Sequence, residues 1–179
     1  MFKIKNQIGK IMRYRRRSIR LPGYDYSQPG LYFVTICTQN QKCLFGKIKN
    51  GIVHPNRYGE IIWEQWEWLE KQYPYIELDT WILMPNHLHG IIYIKHQNLR
   101  LDCRGGSRTA PTADGLKQKT LGRLIGAFKT VSTKRINHIR KSTGSKLWQR
   151  GYYEHIIRDE QEYYAIRKYI LDNPIHWDK

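Results

Sequence analysis

A chain of 179 residues can bury a hydrophobic core without disulfides or a structural metal, and one domain accounts for its length. Lysine and arginine number 31 against 15 aspartates and glutamates, a formal charge of +16, which calls for a polyanionic partner, nucleic acid foremost. The cysteines Cys37, Cys43 and Cys103 form no C-x-x-C pair, which argues against a disulfide framework or a cysteine zinc site and suits a reducing cytoplasm. The N-terminus lacks an apolar secretory region, and apolar runs such as Leu31 to Ile36 are too short to span a membrane, so neither secretion nor a membrane partner is expected.

Residues 1–20 form a basic arm: Lys3, Lys5, Lys10, Arg13, Arg15, Arg16, Arg17 and Arg20 all precede the first acid, Asp25. The arginines among them are expected to contact DNA phosphates. A solvated tail or a targeting peptide has the same composition. Residues 21–179 are expected to form a single domain.

Turn signals at Leu21-Pro22-Gly23 and Gln28-Pro29-Gly30 release a β-rich run from Leu31 to Thr38, read as a central strand. A second strand over Cys43–Ile48 leads to Asn50-Gly51, the dipeptide of a tight hairpin turn, and into Ile52-Val53. From Arg57 to Tyr73, apolar and aromatic residues recur near the 3.6-residue period, with Glu60, Glu64, Glu67 and Glu70 on other faces, predicting an amphipathic helix whose aromatic stripe is core. Ile76–Met84 and His87–Lys95 read as two further strands joined by a turn at Pro85-Asn86.

Residues 102–119, rich in glycine and without hydrophobic periodicity, read as a mobile loop. Leu121–Ile139 then has a helical pattern carrying Arg123, Lys129, Lys134, Arg135 and Arg140, a basic helix expected to face DNA. A short strand at Tyr152–Ile157 and a helix from Asp159 that Pro174 stops near Asn173 complete an α+β chain.

On a strand, the side chains of His87 and His89 point the same way, so two imidazoles converge on one metal ion. Standing alone, the tripeptide also fits two polar residues on a solvated face. In the last helix a step of 100° per residue puts Glu162, Ile166, Tyr169 and Asn173 on one face, with Tyr163 and Tyr164 elsewhere. A phenolic nucleophile at Tyr169 would thus sit beside the amide of Asn173, a candidate third metal ligand. A tyrosine at a core edge and an asparagine at a helix stop form the same pattern.

The segment Met84-Pro85-Asn86-His87-Leu88-His89-Gly90 resembles the histidine-hydrophobic-histidine (HUH) motif of single-tyrosine transposases. The run Trp148–Arg158, which includes Arg150, resembles the segment before their nucleophile helix, and Tyr169-Ile170-Leu171-Asp172-Asn173-Pro174 matches that helix. With Arg16-Arg17-Ser18 and Gly30–Thr35, the match extends over most of the chain and is nearest to the REP-associated tyrosine transposase branch of the IS200-like superfamily.

The resemblance implies a ferredoxin-like HUH nuclease core, mainly antiparallel sheet with helices packed on it. It implies His87 and His89 as metal ligands on a central strand, Mg²⁺ or Mn²⁺ as the ion and Tyr169 as nucleophile. Position 173 departs from insertion-sequence relatives, which place glutamine there. The implied activity is nicking and strand transfer of single-stranded or hairpin DNA through a 5′-phosphotyrosine, by a monomer or homodimer. Arg13, Arg15, Arg16, Arg17, Arg20, Lys129 and Arg150 are the expected DNA contacts, and Tyr14, Tyr24, Tyr26 and Trp148 are candidates for base stacking. Glu162 and His155 are candidate bases for the phenol, whose ordinary pKa is near 10. Two other readings fit the same features: a non-catalytic nucleic-acid-binding regulator derived from a transposase, and a metal-dependent RNA-processing nuclease that activates water.

Overall fold

Alternation of side chains along β1 (Gly30–Cys37) buries Tyr32, Val34 and Ile36 on one face and turns Phe33, Thr35 and Cys37 to the other. The computed structural model describes residues 21, 23–96 and 118–177. The basic arm and the expected mobile loop as far as residue 117 lie outside them, as do Arg13, Arg15, Arg16, Arg17, Arg20 and Tyr14.

β2 (Gly46–Lys49) and β3 (Ile52–Pro55) form an antiparallel hairpin separate from the main sheet. Asn50 and Gly51 both have positive φ, 52° and 71°, as the two-residue turn requires. The strand starts three residues later than the sequence suggests. Phe45 is drawn into the core, and its N–H goes to the carbonyl of Pro85 instead of to a ladder.

α1 (Arg57–Gln72) is capped by Asn56, whose side chain accepts from the N–H groups of Tyr58 and Gly59. Its buried stripe, Ile62, Trp66 and Leu69, packs on the sheet as the periodicity predicts. β4 (Ile76–Met84) and β5 (His87–Ile94) pair antiparallel across the Pro85-Asn86 turn, with a register shift between Leu78 and Trp81. α2 (Leu121–Ile139) buries Leu124, Ile125, Phe128 and Ile136 and packs on α1, β6 (Tyr153–Ile157) follows, and α3 (Glu160–Asp172) starts from an Asp159 cap.

The four-stranded sheet has the order β4-β5-β1-β6 with every neighbouring pair antiparallel. Without the hairpin, the sequence of elements is β-α-β-β-α-β, the ferredoxin-like arrangement that the resemblance implies. One face of the sheet lies under α1 and α2, around Trp66, Phe128 and Trp148. The opposite face carries α3 on a smaller cluster of Phe33, Ile91, Ile157 and Ile170. That second face also presents the odd-numbered residues of β5, and it holds both histidines.

Candidate active site

His87 and His89 project from the first turn of β5 toward α3, as strand alternation demands. Their Nε2 atoms are 3.0 Å apart. Each ring is also held from behind. Asn86 donates its amide to the carbonyl of Gln41, which aims Oδ1 at Nδ1 of His87, 2.6 Å away. A carbonyl oxygen only accepts, so Nδ1 of His87 carries a proton and Nε2 is the nitrogen turned toward His89. Nδ1 of His89 meets the Thr35 hydroxyl at 2.8 Å from the neighbouring strand.

His89 is only 5% exposed. Burial, reinforced by the adjacent His87, holds its pKa well below the usual histidine range, so the ring stays neutral at physiological pH. Phe33 stacks on it at 5.6 Å between ring centroids.

From α3, Tyr169 brings its hydroxyl to 3.5 Å from Nε2 of His89. Phe33 meets the Tyr169 ring edge-on at 6.2 Å and supports both side chains at once. Burial raises the phenol's pKa, and a hydrogen bond from the Asn173 side chain opposes the rise. Asn173 still has helical dihedrals, one turn beyond Tyr169 on the same face, so the helical spacing carries through to the stop at Pro174. The structure therefore brings His87, His89, Tyr169 and Asn173 into one place.

Two imidazole Nε2 atoms 3.0 Å apart, each oriented through its other ring nitrogen, are donors of the kind that could hold a divalent metal ion. Among the described residues no group of three or more histidines, cysteines or carboxylates could hold a metal. Asn173, whose side chain hydrogen-bonds the phenol beside the histidines, could supply a third protein donor. The residues present fit such an ion.

α3 is fixed to the sheet at two points. His155 of β6 and Glu162 meet at 2.6 Å, and the second carboxylate oxygen of Glu162 accepts from the Arg158 N–H. The two candidate bases are thus paired with each other and pin the first turns of α3. On the other edge, the hydroxyl of Tyr163 donates to Asp79 at 2.7 Å, and Arg167 donates to that hydroxyl.

Lys129 directs its ammonium to the carbonyls of Gln149 and Gly151, at 2.9 and 2.8 Å, and partial burial lowers its pKa to about 8. It braces the 149–151 segment as well as bordering a surface. Arg150 is exposed beside it. Two of the stacking candidates are corrected: Tyr26 and Trp148 are buried, and Trp148 packs against Phe45 and Phe128 with its indole N–H on Ser132. Tyr24 is half-buried and shares a hydrogen bond with Tyr32. Sequence reasoning missed Thr35, Asn86 and Phe33 as supports of the histidines. Asn86 lay inside the motif, whereas Thr35 and Phe33 come into play only through the β1–β5 register.

Among known proteins, a Haemophilus influenzae protein of uncharacterised function is 42% identical over 172 residues, covering 93% of this chain and 92% of its own. No family model matches the chain. A solved structure described as the REP-associated tyrosine transposase bound to a REP hairpin superposes with a TM-score of 0.57 at 16% identity, covering 89% of this chain and 73% of that one. At that identity the likeness concerns the fold. The chain belongs to one family with the Haemophilus influenzae protein, and its fold is that of the REP-associated tyrosine transposase, the group that its sequence motifs resemble.

Proposed function

We propose that this protein is a transposase that cuts and rejoins single-stranded DNA through a covalent link to Tyr169. The observation that carries the reading is the approach of the Tyr169 hydroxyl to 3.5 Å from His89, whose ring nitrogen is 3.0 Å from that of His87. A core-edge tyrosine has no need of two oriented imidazoles beside it. The transposase with the same fold was solved bound to a REP hairpin, which supports hairpin DNA as the substrate class here.

In the reaction, the phenolic oxygen of Tyr169 forms a bond to phosphorus as the bond to the 3′-oxygen breaks. The phenol gives up its proton and the departing oxygen takes one, leaving a 3′-hydroxyl and a 5′-phosphotyrosine. The link is a phosphodiester, so a 3′-hydroxyl from another strand can reverse the step and join the ends without a nucleotide cofactor. His87 and His89, with Asn173 as third donor, would hold Mg²⁺ or Mn²⁺, which when bound supplies positive charge to the phosphate oxygens. Phe33 and the Tyr163–Asp79 bond hold α3 and its phenol beside the two histidines. The basic arm and Arg150 would hold the DNA backbone.

Labelled single-stranded hairpin oligonucleotides incubated with Mn²⁺ test the reading. Wild type is expected to cleave them, whereas His87→Ala and His89→Ala bind them and do not cleave. Cleavage that survives either histidine change would remove the metal assignment. Cleavage undiminished in Tyr169→Phe would mean that water is the nucleophile, and binding without cleavage in the wild type would mean a regulator.

A further inference from the structure

A groove of about 640 Å³ runs between the second half of α2 and the segment 143–150. Lys134, His138, Lys146 and Arg150 line it and are exposed. No aspartate or glutamate lines it among the described residues, while Thr133, Thr143 and Ser145 add hydroxyl groups. In a chain whose other helices carry acids, a groove with cations and no carboxylate concentrates positive potential along one line.

Its walls are rigid. Asn137 and Arg140 both donate to the Ser145 carbonyl, Lys129 holds the carbonyls of Gln149 and Gly151, and Leu147 and Trp148 anchor the segment in the core. The groove is also joined to the candidate active site. The Gln39 N–H donates to Leu147, the Gln149 N–H donates to Cys37, and Cys37 is the β1 residue paired in register with His87.

We propose that this groove binds the phosphodiester backbone of the single strand flanking the bond that is cut. The proposal rests on the tyrosine-transfer reading, which supplies the strand; the geometry supplies the groove, whose 143–150 wall is hydrogen-bonded to the end of β1 that pairs with His87. Cations and hydroxyls recognise phosphate oxygens. The groove's only indole, Trp148, is buried, and no exposed Phe, Tyr or Trp lines it among the described residues. The groove therefore offers cations and hydroxyls to a phosphate backbone and no aromatic platform on which bases could stack.

The test measures affinity for hairpin oligonucleotides with no flank and with flanks of increasing length, across a salt series, in wild type and in the double variant Lys134→Gln, Lys146→Gln. Both side chains are exposed, so the fold is expected to survive, and Lys71→Glu at the far end of α1 controls for net charge. Covalent adduct formation on the flankless oligonucleotide is read in parallel.

Wild type is expected to gain affinity with each flank length whatever the flank's sequence. The double variant is expected to lose that gain and about 1.4 of the slope of log affinity against log salt, near 0.7 for each phosphate contact. It should still form adduct on the flankless substrate, and Lys71→Glu should keep the flank gain. A flank gain undiminished in the double variant, or absent from the wild type, overturns the groove. A groove-dependent flank gain with no adduct in any protein supports the groove and overturns the tyrosine reading instead.

Discussion

Asn86 and Thr35 act on the chemistry without touching a substrate. Each fixes one imidazole through Nδ1 so that the two Nε2 atoms face one point. Asn86→Ala and Thr35→Val are each expected to weaken Mn²⁺ binding by about 10- to 100-fold, the usual loss when such a support is removed, as titration calorimetry would measure; unchanged affinity would show that the rings orient themselves. His87, His89, Tyr169 and Asn173 were legible in the sequence because strand alternation and helical spacing are local rules. Thr35 was not, since it lies 54 residues from His89 and only the register of β1 against β5 brings it there.

Lys129 is a second case at this scale. Its folded pKa is lowered to about 8 from an ordinary 10.5, chiefly by burial. Between those values the unfolded chain holds a proton that the folded chain has released, so this group's contribution to stability rises with pH across that window. Relative to Lys129→Met, wild type is expected to gain stability from pH 8 to 9.5 in denaturant unfolding. A difference that stays flat with pH would contradict the burial of this amine. The sequence reading of Lys129 as a phosphate contact did not include the two carbonyls that take two of its three N–H donors.

Among the elements, β5 serves two layers: its odd residues face α3 and its even residues face α1. Gly90 is required by the second layer, since a Cβ there would stand 2.8 Å from the buried Trp66 ring and 3.1 Å from Trp81. Gly90→Ala is expected to cost about 1–3 kcal/mol by overpacking, read from the unfolding midpoint. No loss would mean that the indole has room to move. α3 is placed by polar contacts at its two edges more than by a deep core, as only Ile170 among its residues is fully buried. Tyr163→Phe removes the bond to Asp79 and is expected to cost about 1 kcal/mol of stability and to slow adduct formation by more than it weakens DNA binding. Periodicity revealed each helix and strand within a few residues. It gave neither the β4 irregularity at Leu78–Trp81 nor the Tyr163–Asp79 contact, because both depend on how separate elements meet: β4 against β5, and α3 against β4.

For the whole molecule, the ferredoxin-like sheet separates structure from chemistry: one face is sealed by α1 and α2, and the other is left for α3 and the histidines. The formal charge of +16 suits a polyanion, and eight of its cations precede Asp25 in the arm. Deleting residues 1–20 is expected to weaken DNA binding about equally across sequences and to flatten its salt dependence; a salt slope equal to that of the full chain would show that the arm does not touch phosphate. No helix among the described residues is long and apolar enough to cross a membrane.

The central claim is that Tyr169 becomes bonded to DNA. Its most direct test is to incubate the protein with Mn²⁺ and a single-stranded hairpin oligonucleotide, digest the product with protease and nuclease, and locate the attached nucleotide by mass spectrometry. The account predicts a 5′-phosphonucleotide on the peptide that carries Tyr169 and none in Tyr169→Phe. DNA cut without any nucleotide on that peptide, or a nucleotide on a different residue, would contradict it.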